Sequence, residues 1–180
     1  ILYGKLRPDE KTSADTARKF IASRLFEVRR YDLADVGRYK INKKLDVVTR
    51  AVGYPLADDL VDENGNVLLP AGTEVNYRDT IVDEKDGVRK NIVDYLDNHR
   101  ELFRKEHNYQ QMLQGESVIL ETLEVNVKTP KGTYKVRLIG NDQRENRNHV
   151  VLSDIFATLS YFITLHVGVG KIDDIDHLGN

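Results

Sequence analysis

The sequence predicts an α+β fold in which helix-rich flanks enclose a β-rich middle. Apolar residues recur at three- and four-residue spacing near both ends, whereas the segment between them alternates with a period of two and is punctuated by Gly, Pro and Asn. We interpret the middle, residues 46–148, as a module inserted into a loop of a scaffold made of residues 1–45 and 149–180. With 180 residues, 40% hydrophobic and 31% charged, the chain can build one core or two small cores that share a boundary.

The N-terminal flank begins with a predicted helix over residues 14–28. Its apolar stripe consists of Ala17, Phe20, Ile21, Leu25 and Val28. Thr12, with Asp15 three residues later, is typical of a capping box at the start of a helix. The stretch 31–45 carries Gly37 and many charges, and we predict a loop and a short strand there.

Two hairpins and one helix are predicted in the middle. Asn64-Gly65 lies between two short apolar runs, 60–61 and 67–69, and indicates a tight two-residue turn. A second hairpin is predicted over residues 125–138, where Val125 and Val127 precede the turn Thr129-Pro130-Lys131-Gly132 and Tyr134, Val136 and Leu138 alternate after it. Between the hairpins, the spacing of apolar residues predicts a helix over residues 88–104.

The C-terminal flank returns to a helical pattern. Ser153 is the predicted N-cap, and Gly168 ends the helix one residue after the last periodic position. The broad apolar face consists of Ile155, Phe156, Leu159, Phe162, Ile163 and Val167.

Composition excludes several classes of protein. Because the chain has no Cys, it cannot contain a disulfide framework, a thiolate nucleophile or a Cys-ligated metal. The apolar stretch around residues 159–169 is too short and too interrupted for a membrane span, and no signal segment opens the chain. Since the sequence begins at Ile1 rather than Met, we expect a piece of a longer protein.

Charge is segregated along the chain, although the formal net charge is -2. Residues 1–50 contain 13 Lys and Arg against 7 Asp and Glu, whereas residues 51–103 contain 5 against 12. The first flank is therefore the best candidate for nucleic-acid binding, through phosphate contacts and base stacking. Its residues of interest are Arg7, Arg29, Arg30, Arg38, Lys40, Lys43 and Lys44, interleaved with Tyr31 and Tyr39. An ordinary solvated basic surface explains the same counts.

Three separated motifs in the flanks closely resemble the β subunit of bacterial DNA-directed RNA polymerase. They are Leu6-Arg7-Pro8; Arg30-Tyr31-Asp32-Leu33 continuing through Val36-Gly37-Arg38-Tyr39-Lys40-Ile41-Asn42-Lys43-Lys44-Leu45; and Asp173-Asp174-Ile175-Asp176-His177-Leu178-Gly179-Asn180. The flanks resemble part of the helix-rich β2 lobe of that subunit. The middle is similar to the lineage-specific insertion of Firmicutes polymerases, a small domain of the β-β′ module type.

The resemblance implies a non-catalytic part of a nucleotidyltransferase, a lobe that lines the DNA channel and contacts the non-template strand and the downstream duplex. In the family, Arg7, Arg30 and Asp176 match positions near a pocket for an unstacked guanine of the non-template strand. The chemistry agrees, because guanine offers two adjacent donors that one carboxylate accepts side by side. The predicted DNA-binding set is completed by Arg38, Lys40 and Lys43.

The resemblance also implies partners, cofactor and location. The partners are DNA and the β′, α and sigma subunits, and no membrane is expected. No catalytic residue, cofactor site or metal ligand is expected in this piece, because the Mg²⁺ of the family is bound by another subunit. The expected location is the cytoplasm, in association with the nucleoid.

Two other functions remain open from the residues alone. The acidic middle module could recruit an unknown transcription regulator or a neighbouring subunit. Asp173, Asp174, Asp176 and His177 concentrate ligand-capable atoms, as a metal-dependent hydrolase would require, although a solvated acidic turn also explains them. The run 168–171 is not a phosphate-binding loop, because Ile172 stands where such a loop needs Ser or Thr.

Overall fold

The computed structural model describes residues 13–25, 27, 32–108 and 117–170, together with Gly4, Arg7 and Pro8. The helices described are α1 Ala14–Leu25, α2 Ala34–Leu45, α3 Val47–Ala51, α4 Ile92–Asn98 and α5 Leu152–His166, with a 3₁₀ turn at Arg100–Leu102. The strands described are β1 Leu60–Val61, β2 Val67–Leu69, β3 Thr80–Val82, β4 Arg89–Asn91, β5 Arg104–Asn108, β6 Ser117–Thr129 and β7 Gly132–Gly140. Helices and small antiparallel sheets together confirm the predicted α+β fold class.

The largest sheet has the order β5-β6-β7. The first part of β6 pairs with β5, from Asn108↔Ser117 to Arg104↔Glu121. The rest of β6 pairs with β7, and Thr129 faces Gly132 across the turn. The second predicted hairpin is therefore confirmed.

Two small hairpins lie beside this sheet. β1 pairs with β2, as predicted, but five residues separate them instead of two. The connection is longer because the Asp62 carboxylate organises it, accepting hydrogen bonds from the backbone N–H groups of Asn64 and Asn66, both at 2.8 Å. β3 and β4 form a further hairpin that the sequence does not predict.

α4 is shorter than the helix predicted over residues 88–104. The first of those residues form β4, and Asn91 then caps α4 by accepting a hydrogen bond from the backbone N–H of Asp94 at 2.9 Å. The last of those residues form the 3₁₀ turn and the start of β5. A capping side chain and a change of backbone period thus divide one apolar pattern into three elements.

α1 begins where the sequence predicts. Its N-cap is Ser13, whose hydroxyl accepts a hydrogen bond from the backbone N–H of Thr16 at 3.1 Å. The helix is described to Leu25. The predicted cap Thr12 and the predicted last residue Val28 lie outside the described residues.

α2 corrects the prediction of a loop and a short strand over residues 31–45. Its inward face carries Arg38, Asn42 and Leu45, with Ile41 partly buried beside them. Two of these four side chains are polar, so the apolar period that reveals an amphipathic helix is broken in the sequence.

α5 begins one residue before the predicted N-cap Ser153. The carboxylate of Asp154 reaches back and accepts a hydrogen bond from the backbone N–H of Val151 at 2.9 Å, which fixes the first turn. The predicted end is confirmed: Gly168 has φ +85° and donates to the carbonyl of Leu165 at 3.0 Å, and Val169 donates to the carbonyl of Thr164 at 2.8 Å. This pair of bonds is a Schellman motif, which satisfies carbonyls of the last turn.

The core lies mainly in the middle of the chain. It is formed by Val47, Val48, Ala51, Leu56, Leu69, Val75, Ile92, Val93, Tyr95, Leu96, Phe103, Leu123, Val125, Val127, Leu138 and Val169. Val169 belongs to the C-terminal flank and follows the Schellman turn directly, so the flank contributes to the core of the predicted module. The domain division at residues 46 and 148 stays a prediction.

Arg50 ties the middle to α5. Its guanidinium donates to the carbonyl of Ile139 at 2.6 Å, to Ser160 Oγ at 3.4 Å and to Thr164 Oγ1 at 3.2 Å. Burial lowers the pKa of Arg50 to about 10, which still leaves it charged at neutral pH. The module therefore does not swing free of the flank; it is packed and hydrogen-bonded against α5.

Candidate nucleic-acid interface

The predicted guanine pocket falls largely outside the described residues. Arg30 and Asp176 are not among them, nor are Asp173, Asp174 and His177 of the hypothetical metal site. Among the residues that the structure describes, no group of three His, Asp or Glu side chains could hold a metal ion. The pocket and the acidic cluster therefore stay predictions.

Arg7 is described and exposed. Its guanidinium carbon lies 5.6 Å from the centre of the Phe20 ring on α1, and Arg24 approaches the same ring at 5.4 Å. Both distances are within the range of a cation–π contact. The structure thus places Arg7 beside α1.

Arg38 points inward and not toward a DNA surface. It is only 4% exposed, and its Nη1 donates to both oxygens of Asp154 at 2.9 and 3.0 Å. Its Nε and Nη2 donate to the backbone carbonyls of Arg147 and His149. These bonds fasten α2 to the start of α5, so we correct the expectation that Arg38 offers its guanidinium to phosphate.

Lys40 and Lys43 lie on the opposite side of α2, where Val36 and Tyr39 are also exposed. Positions 36, 39, 40 and 43 repeat at three- and four-residue spacing, so they form one stripe along the helix. We call these four residues the α2 outer face. It combines two ammonium groups with an aromatic ring, which are the groups that meet phosphates and bases in single-strand binding proteins.

A groove runs beside this face, between α2 and the segment 143–146. Its walls are formed by Tyr39, Asn42 and Lys43 on the helix and by Gln143, Glu145 and Asn146 on the segment opposite. We call it the α2 groove. Asn42 joins the two walls. Its side-chain Nδ2 donates to the backbone carbonyl of Glu145 at 2.9 Å, and its backbone carbonyl accepts from Gln143 Nε2 at 2.8 Å.

Three carboxylates, those of Asp35, Asp46 and Glu145, line the α2 groove beside the ammonium group of Lys43. Glu145 is paired with Arg147, whose hydrogen bonds lower the pKa of that carboxyl to about 2. Asp46, at the end of the groove, accepts from Arg100 at 2.8 Å and caps α3 through the backbone N–H of Thr49 at 3.0 Å. Two of the carboxylates near the groove are thus already engaged within the protein.

The acidic middle of the sequence is also acidic as a surface, because ten of the twelve Asp and Glu residues between positions 51 and 103 are exposed and only Asp83 is buried. Asp83 is fully buried and binds Lys90 and His99, while Asp58 and Glu101 form ion pairs with lysines. The pairs with Lys85 and Lys90 join residues of the same segment, so they leave its net negative charge unchanged. Recruitment of a regulator by this surface stays a prediction.

The sequence names the residues of the α2 outer face but not their arrangement. Without a helix over residues 34–45, nothing separates the inward Arg38 from the outward Lys40 and Lys43. The far wall of the groove, at 143–146, is missed altogether. The signal that could have found α2 is the i, i+4 series Leu33, Gly37, Ile41 and Leu45.

Comparison with known proteins gives a consistent result. Residues 84–180 match the family model described as RNA polymerase Rpb2, domain 2. Over 99% of its length, the chain is 42% identical to the DNA-directed RNA polymerase subunit beta of Streptococcus mutans and 35% identical to that of Acholeplasma laidlawii. The chain spans 14% and 19% of those two proteins. No helix in the described part of the chain is long and apolar enough to cross a membrane.

Proposed function

Because the chain belongs to the family of RNA polymerase Rpb2 domain 2, we propose that it is the lobe portion of the β subunit of a DNA-directed RNA polymerase. In this proposal the lobe contacts DNA through the α2 outer face during transcription. Agreement between the motif resemblance of the flanks and the relatives, which cover 99% of the chain, supports the assignment.

Catalysis belongs to the whole enzyme. The polymerase transfers nucleotides to a growing RNA with Mg²⁺ that the resemblance assigns to another subunit, and we give this chain no metal-dependent step. In this proposal its partners are DNA and the β′, α and sigma subunits. Because these partners act on chromosomal DNA, the proposed location is the cytoplasm, at the nucleoid. The contribution of this chain is to position DNA.

The single observation that carries the proposal is that α2 has one buried face and one exposed basic face. The helix turns its arginine inward to Asp154 and leaves Lys40, Lys43 and Tyr39 on the outside. A buried, doubly hydrogen-bonded ion pair fixes the rotation of the helix about its axis, so the lysines are held on one surface. An ordinary solubilising face needs neither an exposed aromatic ring nor a fixed rotation.

The test is the salt dependence of DNA binding by polymerase reconstituted with a Lys40→Gln, Lys43→Gln β subunit. Each lost phosphate contact reduces the slope of log K against log salt concentration by about 1. We therefore expect the slope to become shallower by about 2 for the double variant.

The matched control changes the same charge elsewhere. Lys128 and Lys131 are exposed near the β6–β7 turn, and Lys128→Gln, Lys131→Gln should leave the slope at its wild-type value. Equal slopes for wild type and the Lys40, Lys43 variant would refute DNA contact by the α2 outer face.

A further inference from the structure

The side of β7 that faces away from β6 carries backbone groups that point outward. On β6, the backbone N–H of Asn126 donates to the carbonyl of Pro55 at 2.9 Å, so the backbone groups of Asn126 point away from β7. In the antiparallel register Asn126 lies opposite Lys135, and the two residues form a non-hydrogen-bonded pair. The N–H and carbonyl of Lys135 therefore point away from β6, and those of Thr133 and Arg137 do so by alternation.

These outward groups are open. Among the residues that the structure describes, none bonds to the outward N–H and carbonyl groups of Thr133, Lys135 and Arg137, and all three residues are exposed. The two cationic side chains lie over one face of the sheet and not over its edge, because Lys135 Nζ approaches Asp58 at 2.5 Å and Arg137 Nε approaches Glu124 at 2.7 Å. Open backbone groups on an edge strand are a template for one further strand.

The two faces beside this edge differ in chemistry, which defines the strand that fits. On the core face, Tyr134 is 50% exposed and Val136 is partly buried against the core. On the other face, Lys135 and Arg137 present positive charge. Since successive side chains of a strand alternate between the faces of a sheet, a strand beside β7 needs apolar residues alternating with acidic ones.

The charge around the edge favours acidic side chains on the added strand. Four cationic side chains of the β6–β7 hairpin are exposed at or near the edge. They are Lys128, Lys131, Lys135 and Arg137. Two carboxylates, those of Asp58 and Glu124, form ion pairs with Lys135 and Arg137, so the hairpin keeps an excess of positive charge. Opposite charges on neighbouring strands stabilise their pairing.

The same charges disfavour a second copy of this chain as the occupant. If the β7 strands of two molecules paired antiparallel about Lys135, the two Lys135 side chains would lie directly opposite each other. Like charges in that position destabilise a pair of strands. The edge therefore fits a strand of different composition.

We propose that β7 binds, along residues 133–137, an extended segment of another protein in which acidic and apolar residues alternate, antiparallel to β7. The acidic residues of this segment exchange backbone hydrogen bonds with the outward groups of β7 and lie beside Lys135 and Arg137. The apolar residues lie opposite Tyr134 and Val136 and extend the core face. Main-chain bonds supply affinity and the alternation supplies specificity. The inference goes beyond DNA contact by the α2 outer face and does not depend on it.

The test is fluorescence anisotropy with polymerase holoenzyme assembled with full-length β. The probe is a fluorescein-labelled, end-blocked peptide of sequence Glu-Val-Glu-Val-Glu, N-methylated on the backbone of every Glu, of every Val, or of neither. In the proposed register the N–H groups of the Glu residues point to β7, and those of the Val residues point away from it. Methylation at Glu should therefore weaken binding by about 10-fold or more, and methylation at Val by less than about 2-fold.

A charge exchange locates the binding site. Holoenzyme with Lys135→Glu, Arg137→Glu should lose the Glu-Val-Glu-Val-Glu peptide and bind Lys-Val-Lys-Val-Lys instead. The matched control is Arg78→Glu, Arg89→Glu, which reverses two exposed cations elsewhere in the middle module and should change neither binding constant. The methylation experiment uses wild-type protein, so it tests the pairing even if a charge-reversed variant fails to fold.

The outcomes separate the other occupants. Equal binding of the three peptides would overturn backbone pairing, and loss on methylation of Val in place of Glu would overturn the antiparallel register. If the unmethylated peptide does not bind, the proposal is overturned, and hydrogen exchange at Thr133, Lys135 and Arg137 then identifies what covers the edge. Slow exchange at every protein concentration assigns it to another part of the polymerase, and slow exchange only at high concentration assigns it to a second copy.

Discussion

Arg38 and Lys40 are two residues apart in a basic segment, yet their side chains have opposite surroundings. The Arg38 guanidinium is buried and bound to Asp154, whereas Lys40 is exposed. Composition predicts that both belong to a basic flank, but only the rotation of α2 decides which one can meet a ligand. The planar fork of an arginine suits the buried position, because it serves a carboxylate and two carbonyls at once.

Arg38→Ala should therefore act on stability. Removing one partner of a buried ion pair costs about 3–5 kcal/mol, because the other charge is left uncompensated. Urea denaturation of the 180-residue chain measures this cost. Lys43→Ala, on the exposed side of the same helix, should change the free energy of unfolding by less than about 0.5 kcal/mol. Equal effects of the two substitutions would contradict the assigned orientation of α2.

Glu121 gives a second prediction at this scale. It is 1% exposed and shares Arg100 with Asp46 and Asp97, so one cation faces three carboxylates. Burial raises the pKa of Glu121 to about 7, although Arg100 opposes the shift. Since the folded protein holds this proton more tightly than the unfolded chain, the stabilisation is full below the ordinary carboxyl pKa and is lost as pH rises through about 7.

Glu121→Gln should remove this dependence. Between pH 5 and pH 8 the contribution of Glu121 to the free energy of unfolding of the wild-type chain should fall by up to about 3 kcal/mol. The free energy of unfolding of the variant should fall much less. Denaturation midpoints at the two pH values provide the measurement.

Glu124 is the matched control for this pH experiment. Hydrogen bonds from Lys135 and Arg137 lower the pKa of that carboxyl to about 2, so its contribution is constant from pH 5 to pH 8. Glu124→Gln should leave the pH dependence unchanged. A wild-type stability that rises from pH 5 to pH 8 would contradict the role of Glu121.

At the scale of elements, prediction from sequence succeeds where an apolar period is clean. α5 and the β6–β7 hairpin are both confirmed as elements. On α5, however, Leu159, Phe162, Ile163 and Val167 of the predicted apolar face are exposed. α2 fails because polar side chains occupy its buried face, and α4 is overestimated because Asn91 introduces a cap inside an apolar run. A local pattern thus predicts the element but not which of its faces is buried, and it gives no signal where polar groups are buried through hydrogen bonds.

The approach of β7 to the α2–α3 junction leads to a prediction about Gly140. A Cβ at this position would lie 2.9 Å from the carbonyl oxygen of Leu45 and 3.0 Å from Val47 Cβ. Because one of these atoms belongs to the backbone, it cannot move aside cheaply. Gly140→Ala should destabilise the chain by about 1–3 kcal/mol, as overpacking does.

Gly168→Ala separates this packing effect from backbone strain. Gly168 has φ +85° and nothing within 4 Å of an added Cβ, so its substitution meets strain alone. Hydrogen exchange should then show the Gly140 variant loosening α3 and β7, and the Gly168 variant loosening the end of α5. Loss of protection at the same amides in both variants would argue against a packing role for Gly140.

At the scale of the whole molecule, the C-terminal flank and the middle module pack against each other and are not two independent bodies. Val169 completes the core of the middle module, and Arg50 bonds to hydroxyls of α5. The sequence pattern records where the period changes from helix to strand, but it cannot show which elements touch across that change. The residue-level proposal of a guanine pocket at Arg7, Arg30 and Asp176 depends on the same kind of long-range information.

The bonds at Ile139 also bear on how the chain behaves in a crowded solution. The backbone N–H of Ile139 donates to Ser160 Oγ at 3.1 Å, and its backbone carbonyl accepts from Arg50. Both backbone groups of Ile139 on the outer edge of β7 are therefore bonded to side chains. An uncapped edge strand is a template on which a neighbouring molecule can add a strand of its own. Ser160 of α5 and Arg50 of α3 therefore block strand addition at Ile139, and substituting either residue would expose a backbone group of Ile139 to a neighbouring molecule.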